Sequence, residues 1–521
     1  MEPPRKRQKL DETVTVEQAE ATIQASSSRH RQHHESRQSD STGVQNQNGN
    51  ILTGRDFIIN NFTKTNDPND HRQSLLESLR FDQIDARQST IKKAYASTCR
   101  WFLKNSLYKQ WERKDPSQAD KHFLWIKGKP GAGKSTLMKY LHQQILKKGD
   151  GITISFFFNA RGEDLEKSTI GLYRSLLLQL LEKRPDLQHV LDTSRPGREW
   201  NVESLNTLFE EALQGLGKTP LTCVIDALDE CEEQDVRDMV NFLSELVCTD
   251  TSRLYVCFAS RHYPYITLES SLDVVLEEQD KHQDDIATYL KGSLRIGKGK
   301  LADQIRSEVR EKASGVFMWV VLVVDILNKE SDAGRSFALR ERLQQLPPNL
   351  HGLFRDILTR DTKDQEALLL CIQWVLLSKR PLTPKELYFA IVSGYEPRHL
   401  SDCHSNEISD ADVYKYILNN SKGLVDSTKS KKSTIQFIHE SVRDFLLKAG
   451  GLGEIFPSIG SNVHGQGHEA LKNCCVTYMN MEIAPEIQKL TQEKVQQKLP
   501  FLEYAIHGVL HHAEKAEAAG D

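Results

Sequence analysis

The stretch FLWIKGKPGAGKST, residues 123–136, decides the fold of this chain. It begins as a short apolar strand and continues into a match to GxxxxGK[ST], a phosphate-binding loop, at every fixed position. Glycines in such a loop let backbone N–H groups curl around phosphate oxygens, and the N-terminus of the following helix adds a partial positive charge. The stretch therefore predicts a strand, a phosphate-binding loop and a helix, in that order.

The residues of this loop have separate expected roles. Lys134 is expected to reach the β- and γ-phosphates of a nucleotide, the Ser135 hydroxyl to bind Mg²⁺, and Thr136 to add a phosphate contact. The other residues expected to contact the nucleotide are Gly128, Pro130, Gly131, Ala132 and Gly133. A glycine-rich turn without a ligand is the weaker interpretation, because a predicted strand precedes the loop and a predicted helix follows it.

A second apolar run, LTCVIDALDE, carries acidic residues at the end of a predicted strand. Asp226 lies where a carboxylate can hold Mg²⁺, directly or through water. Asp229 or Glu230 is expected to orient or deprotonate an attacking water. The alternative is a group of solvated acids after a strand.

Arg261 follows a further apolar run, LYVCFAS. A guanidinium at that position is expected to face the γ-phosphate of a nucleotide and to report its presence. The predicted catalytic residues are therefore Glu230, Asp229 and Arg261, with a plain surface arginine as the alternative for the last. His262 is expected to have a structural role.

Apolar strands alternate with helices across residues 121–278, which predicts a parallel sheet covered on both faces. Helices, a small hairpin and a further helix follow, in the order of a winged helix. The predicted fold class is an α/β P-loop NTPase core, a parallel sheet flanked by helices, followed by helical and winged-helix domains, with a disordered N-terminus.

Shifts in composition divide the chain into six predicted segments. They are a disordered polar and basic segment (1–50), a helical lead-in (51–118), the P-loop NTPase core (119–280), a helical domain (281–345), a winged-helix domain (346–450) and a helical segment (451–521). Within the lead-in, the apolar spacing of residues 91–103 predicts a helix that packs one face on the next domain.

Charge and cysteine content exclude several classes of protein. Lys+Arg 68 against Asp+Glu 72 gives a net charge of −4, which argues against nucleic acid or a membrane surface as the main partner. The nine cysteines form no CxxC pair, which indicates reduced thiols. No apolar run approaches the ~20 residues of a membrane span. A cytoplasmic location follows, with nuclear import through Arg5-Lys6-Arg7-Gln8-Lys9 as the alternative.

The segment 43–62 mixes Asn and Gln with Ile, Leu and Phe. Such a composition can stack as cross-β and would then act as an amyloid-like signalling motif. A polar linker running into a short strand is the favoured interpretation.

Three motifs together resemble the NACHT branch of the STAND signalling NTPases, namely GKPGAGKST, VIDALDE and FASRHYP. The chain is most similar to nephrocystin-like NACHT proteins of the fungal NLR-like type. The stretches LSKRPLTPKELYFAI and FIHESVRDFL resemble a winged helix shared with fungal inositol-deacylase relatives. The resemblance covers roughly residues 75–515, and the order and spacing of its motifs make it specific.

This resemblance implies a nucleotide-dependent switch with slow hydrolysis. ADP or GDP would hold a closed monomer, and exchange for ATP or GTP with Mg²⁺ would open it for self-oligomerisation and contact with an unknown downstream effector protein. His439 matches the winged-helix histidine that touches the β-phosphate in the closed form. The implied role is fungal non-self recognition, heterokaryon incompatibility or programmed cell death, a form of innate immunity.

Two departures from the family pattern matter. Gly315-Val316-Phe317 stands where the family often has a GxP motif near the adenine, so the choice between ATP and GTP stays open. Relatives continue into ankyrin or WD repeats after a segment similar to residues 501–520, which leads us to expect that the ligand-sensing array is missing.

Other classes of function remain as alternatives. One is a nucleotide-binding scaffold with little turnover, and another is a P-loop kinase or transferase of unknown substrate, which would need a compact lid that the sequence does not show. DNA binding by the winged helix through Lys429, Lys431 and Lys432 is disfavoured.

Overall fold

The structure is a computed structural model of the full chain. It describes residues 68–115, 121–194, 197, 199–247, 253–262, 266, 268, 270–360, 364–400, 408–428, 433–448, 450–460, 462–481 and 491–519. Residues 72–521 form one compact unit, and of the preceding unit only residues 68–71, the start of a helix, are described. The sequence-based predictions for residues 1–50, Arg5–Lys9, 43–62 and the three lysines at 429–432 lie outside the described residues.

A five-stranded parallel sheet lies at the centre of the N-terminal half, as the sequence predicts. Its strands are β1 (Phe123–Lys127), β2 (Ile152–Phe157), β3 (Leu221–Asp226), β4 (Leu254–Ser260) and β5 (Leu272–Val275). The spatial order is β2-β3-β4-β1-β5. The three inner strands are almost continuously apolar and buried, which is typical of parallel strands covered on both faces.

Helices cover both faces of this sheet and separate its core into two apolar clusters. The helices before and within this part are α1 (Pro68–Leu79), α2 (Ala86–Thr90), α3 (Ser106–Glu112), α4 (Lys134–Lys148), α5 (Thr169–Lys183), α6 (Val202–Gly215) and α7 (Glu233–Val247). Helix α7 is the most amphipathic of these helices, because it buries six apolar side chains and exposes its charged face.

The strand order brings the functional segments to one edge of the sheet. Strand β4 lies between β1 and β3, and Lys127 of β1 is in register with Ser260 of β4. Since all strands are parallel, the residues that follow β1, β3 and β4 emerge at the same edge, where ligands bind in open α/β sheets.

The described residues of the C-terminal half are helical or in loops except for one hairpin, and they share a single apolar core. Its elements are α8 (Asp280–Ser293), α9 (Lys300–Ala313), α10 (Phe317–Asp332), α11 (Leu339–Gln345), α12 (Leu350–Thr359), α13 (Gln365–Leu377), α14 (Pro384–Tyr395), α15 (Asp410–Asn420), β6 (Val425–Ser427), β7 (Ile435–Phe437), α16 (Glu440–Leu447), α17 (Gly451–Ile455), α18 (Val463–Met479), α19 (Gln492–Lys498) and α20 (Leu502–Ala518). The order α14, α15, antiparallel β6–β7 hairpin and α16 is the order the sequence predicts for this region. No helix of the described residues is long and apolar enough to cross a membrane.

The helix predicted for residues 91–103 is wrong. The backbone there is extended and then turns, ending in a 3-10 helix at Arg100–Lys104. Ala96 and Cys99 have φ angles of 46° and 68°, which an α-helix does not accommodate. The apolar residues are buried as expected at Ile91 and Phe102, but they reach the core from an irregular segment.

Candidate functional site: a nucleotide pocket shared by two halves of the chain

The phosphate-binding loop has the backbone that its glycines allow. Gly131 and Gly133 have φ angles of 75° and 104°, in the region that favours glycine, and α4 begins directly at Lys134. The first N–H groups of a helix have no partner within it, so this N-terminus can receive an anion. The Lys134 ammonium is buried and donates to the carbonyl oxygens of Gly128 and Lys129, at 2.7 and 3.0 Å.

Two contacts hold the loop in place. The Lys129 N–H donates to the Glu277 carboxylate at 3.1 Å, and His262 contacts the same carboxylate at 2.6 Å. From the other side, the Met318 N–H at the start of α10 donates to the Gly131 carbonyl at 2.9 Å. The loop is therefore fixed by the segment after β5 and by the helix that follows Gly315.

Asp226 provides a test of whether the site fits Mg²⁺. The side chain is fully buried, and its carboxylate oxygens have no hydrogen-bond partner among the described residues other than the nearby Ser135 hydroxyl. Burial raises the pKa of Asp226 to about 6, an effect that the Ser135 hydroxyl opposes. A buried carboxylate with a single neutral partner is costly unless a cation joins it. The pair of Ser135 and Asp226 therefore fits a Mg²⁺ ion, whose preferred ligands are oxygens.

Asp229 and Arg261 form a tight pair at the ends of β3 and β4. The Asp229 carboxylate accepts the Arg261 backbone N–H at 2.8 Å and pairs with its Nε at 2.8 Å. Arg261 also donates from Nη1 to Asp444 of α16 at 2.6 Å. Although burial alone lowers the pKa of Arg261, the two carboxylates outweigh it and raise that pKa.

Glu230 is tied to a different partner. One carboxylate oxygen accepts the Ala160 N–H, just after β2, at 2.9 Å, and the other lies 3.7 Å from the Arg87 guanidinium. The carboxylate is thus held toward α2 and the end of β2. Glu230 nevertheless contributes to the lining of the same cavity as Lys134 and Asp226.

His439 enters the site from the C-terminal half as the residue before α16. Its Nδ1 accepts the Ser441 N–H at 3.0 Å, so the proton of the neutral ring lies on Nε2. Burial, helped by the charges of Arg161 and Arg87, lowers the pKa of His439 well below its usual value. The imidazole is therefore a neutral ring with one N–H available as a donor.

Most of the sequence-predicted groups line one cavity of about 940 Å³, large enough for a nucleotide. The sequence-predicted residues that the structure brings together there are Pro130, Gly131, Ala132, Gly133, Lys134, Ser135, Thr136, Asp226, Asp229, Glu230, Arg261 and His439. Gly128 does not line the cavity and acts through its carbonyl on Lys134. Residues 91–99 and the start of α10 line the opposite side.

Three charged residues at this site were missed by the sequence analysis. Arg87 approaches Glu230, Asp444 approaches Arg261, and the buried Arg161 donates to the Phe437 carbonyl at 2.5 Å. Arg161 lies in the loop after β2, separated from the strand by residues 158–160, so its position shortly after a buried parallel strand was a signal that could have found it. Asp444 has no such signal, because it lies within a helix distant in sequence.

The chain is similar in sequence to known proteins. Residues 97–261 match the family described as Nephrocystin 3, N-terminal. Over 384 residues, the chain is 25% identical to the vegetative incompatibility protein HET-E-1 of Podospora anserina, covering 70% of this chain and 26% of that protein. The chain thus spans about a quarter of the length of this curated relative.

Similar solved structures include Cdc6p from Pyrobaculum aerophilum, at 12% identity with a TM-score of 0.29 over 70% of this chain and 97% of that chain. The Walker-type ATPase PABY2304 of Pyrococcus abyssi is 14% identical with a TM-score of 0.31, over 65% and 95%. Structural similarity at these TM-scores does not indicate a function.

The parallel sheet, the phosphate-binding loop and the acidic end of β3 define a P-loop NTPase domain. More narrowly, residues 97–261 of this domain are similar to the family described as Nephrocystin 3, N-terminal, and the chain is similar to HET-E-1.

Proposed function

We propose that the chain is a nucleotide-dependent signalling switch, which binds ATP or GTP with Mg²⁺ and hydrolyses it slowly. The observation that carries this proposal is the shared cavity. Lys134, Ser135 and Asp226 come from the P-loop core, whereas His439 comes from the C-terminal half. A ligand that contacts both halves binds with one free energy when the halves are packed together and with another when they are apart. This difference in binding free energy is what allows a nucleotide to switch the chain between two conformations.

Each residue has a proposed role in this pocket. Lys134 and the start of α4 hold the phosphates, and Ser135 and Asp226 hold Mg²⁺, which supplies charge neutralisation at the phosphate oxygens. The Nε2–H of His439 donates to a phosphate oxygen in the closed form. Slow turnover is supported by Glu230, the proposed base, which is tied to Ala160 and Arg87.

The biological role is proposed from the relative. HET-E-1 is a vegetative incompatibility protein, and a role in non-self recognition or programmed cell death in a fungus agrees with its similarity to this chain. We propose that residues 346–450 are the regulatory winged helix, that the open form self-oligomerises, and that a downstream effector protein receives the signal.

The first test is the nucleotide content of the purified full chain, measured by ion-exchange chromatography after denaturation, with native mass in parallel. We expect a stoichiometric diphosphate in a monomer. Lys134→Ala should lose it, because Lys134 is the buried cation of the loop. Lys147→Ala, at an exposed position of the same helix, is the matched control and should keep it. Full nucleotide content in Lys134→Ala would contradict the assignment of the site.

A further inference from the structure

Arg261 already has two anionic partners, one from each half of the chain. Asp229 holds its Nε and backbone N–H from within the NTPase core, and Asp444 takes its Nη1 from α16. The Asp444 side chain is 11% exposed and Arg261 is 24% exposed, so water screens this second pair only in part. A guanidinium and a carboxylate at 2.6 Å form a charge-assisted hydrogen bond, which is stronger than a neutral one.

The register of the sheet places this pair close to the phosphates. Lys127 is paired with Ser260, so Arg261 leaves β4 at the level at which the phosphate-binding loop leaves β1. Neighbouring strands are about 4.8 Å apart. The charge of Arg261 also helps to lower the pKa of Lys134, after the larger effect of burial, which agrees with their proximity.

Carboxylates and phosphates compete for the same donors of an arginine. A third phosphate next to Arg261 would meet the negative charge of Asp444, and like charges at short range repel. A nucleoside diphosphate lacks this third phosphate. The Asp444–Arg261 pair is therefore compatible with a bound diphosphate. A bound triphosphate favours a conformation in which Asp444 has moved away from Arg261.

We propose that Asp444 sets the nucleotide preference of the closed chain, because its carboxylate holds the Arg261 guanidinium in place of a γ-phosphate. This inference rests on the proposed function and adds a specificity-determining residue to it. Asp444 acts through Arg261, so it is a positioning residue. By thermodynamic linkage, any change that stabilises the packing of α16 against Arg261 weakens triphosphate binding by the same free energy.

The experiment compares dissociation constants in the full chain, with competition against a fluorescent diphosphate as the readout. The probes are MgADP and MgAMP-PNP. MgGDP and MgGMP-PNP are measured in parallel, because the choice between adenine and guanine nucleotides is not fixed. The quantity measured is the ratio of the triphosphate constant to the diphosphate constant. The variants are Asp444→Asn, which removes the charge at constant shape, and Asp444→Ala, which serves if the first variant does not fold.

The matched control is Lys448→Gln. Lys448 pairs with Asp444 at 3.0 Å from the solvent side and is 81% exposed, so its removal leaves the Arg261 contact in place. We expect Asp444→Asn to lower the ratio at least fivefold, mainly by tighter triphosphate binding, and Lys448→Gln to change it less than twofold.

Two outcomes would overturn the proposal. Either the ratio is unchanged in Asp444→Asn, as it is when both constants shift equally, or Lys448→Gln has the same effect on the ratio as Asp444→Asn. Failure of the proposed function looks different, because the wild-type chain would then bind neither probe and would match Lys134→Ala.

Discussion

At the scale of single residues, Glu440 lies in an unusual charge environment. It is the first residue of α16, buried 3.7 Å from Arg161, and its Oε2 accepts no hydrogen bond from the described residues. Burial first, and then the negative charge of Glu230, raise the pKa of Glu440 to about 7. Arg161 and Arg443 oppose this shift and Asp444 supports it.

The pH dependence of stability follows from that shift. A carboxyl with a raised pKa binds its proton more tightly in the folded chain, so its contribution to stability is complete below about pH 4.5 and is lost as the pH rises through 7. Glu440→Gln mimics the protonated form. We expect it to match the wild type at pH 5 and to be more stable at pH 8 by roughly 1–3 kcal/mol.

The measurement is the thermal midpoint of the variant minus that of the wild type, taken at pH 5 and at pH 8. Taking this difference at each pH removes the effects of other titrating groups, which are common to both proteins. Glu469→Gln, at an exposed site on α18, is the control and should show no such difference. An equal effect of Glu440→Gln at pH 5 and pH 8 would count against a raised pKa.

Local motifs made part of the site predictable from the sequence. The phosphate-binding loop and Asp226 each follow an apolar strand directly, so residue type and position along the chain were sufficient. Asp444 was beyond this reasoning, because its role depends on α16 lying against the end of β4, a contact 183 residues distant along the chain. Short-range sequence patterns cannot predict a contact between residues so far apart in the chain.

At the scale of elements, the N-terminus of α14 is a clear case of local specification. Thr383 accepts the Glu386 N–H, the Glu386 side chain accepts the Thr383 N–H, and Pro384 occupies the first helical position. This arrangement is a capping box with proline at the first helical position, and the local sequence alone is sufficient to specify it. Arg380 adds a salt bridge to Glu386 at 2.6 Å.

Removal of this cap should weaken the helix by a modest and calculable amount. We expect Thr383→Ala to cost about 1 kcal/mol, since it leaves a backbone donor at the helix start without its partner. In a chain of this length this corresponds to a fall of about 1 °C in the thermal midpoint. Thr383→Ser keeps the hydroxyl and should stay within error of the wild type. A midpoint unchanged in Thr383→Ala would show that solvent replaces the cap.

Residues 91–103 show where element prediction from apolar spacing fails. Ile91 and Phe102 are buried as a helical pattern requires, but Ala96 and Cys99 have positive φ angles and the segment lines the cavity instead. The Asp285 carboxylate accepts the Cys99 N–H and the Trp101 Nε1–H, each at 2.8 Å. A partner 180 or more residues away thus overrides the local preference, as tertiary contacts often do.

At the scale of the whole molecule, a ligand in the shared cavity should stabilise both halves. We expect saturating MgADP, or MgGDP if guanine is preferred, to slow amide hydrogen exchange in residues 128–136 and also in residues 414–427 and 436–439, which contribute to the lining of the same cavity. At a ligand concentration of 100 times Kd, the stabilisation of amides that exchange only through opening is about 2.7 kcal/mol.

Lys134→Ala should show neither effect. Protection confined to residues 128–136 in the wild type would mean that the ligand does not engage the C-terminal half. Such a result would contradict the proposed switch while leaving nucleotide binding intact.

The closing contacts are concentrated on a short stretch of chain. Within eight residues, Phe437 and Glu440 contact Arg161, His439 lines the nucleotide pocket and Asp444 contacts Arg261. Glu440 and Asp444 belong to α16, and His439 directly precedes this helix. A rigid helix cannot release one of these groups and retain the others. Their loss is therefore a single two-state event, and the chain should hold either all of these contacts or none of them.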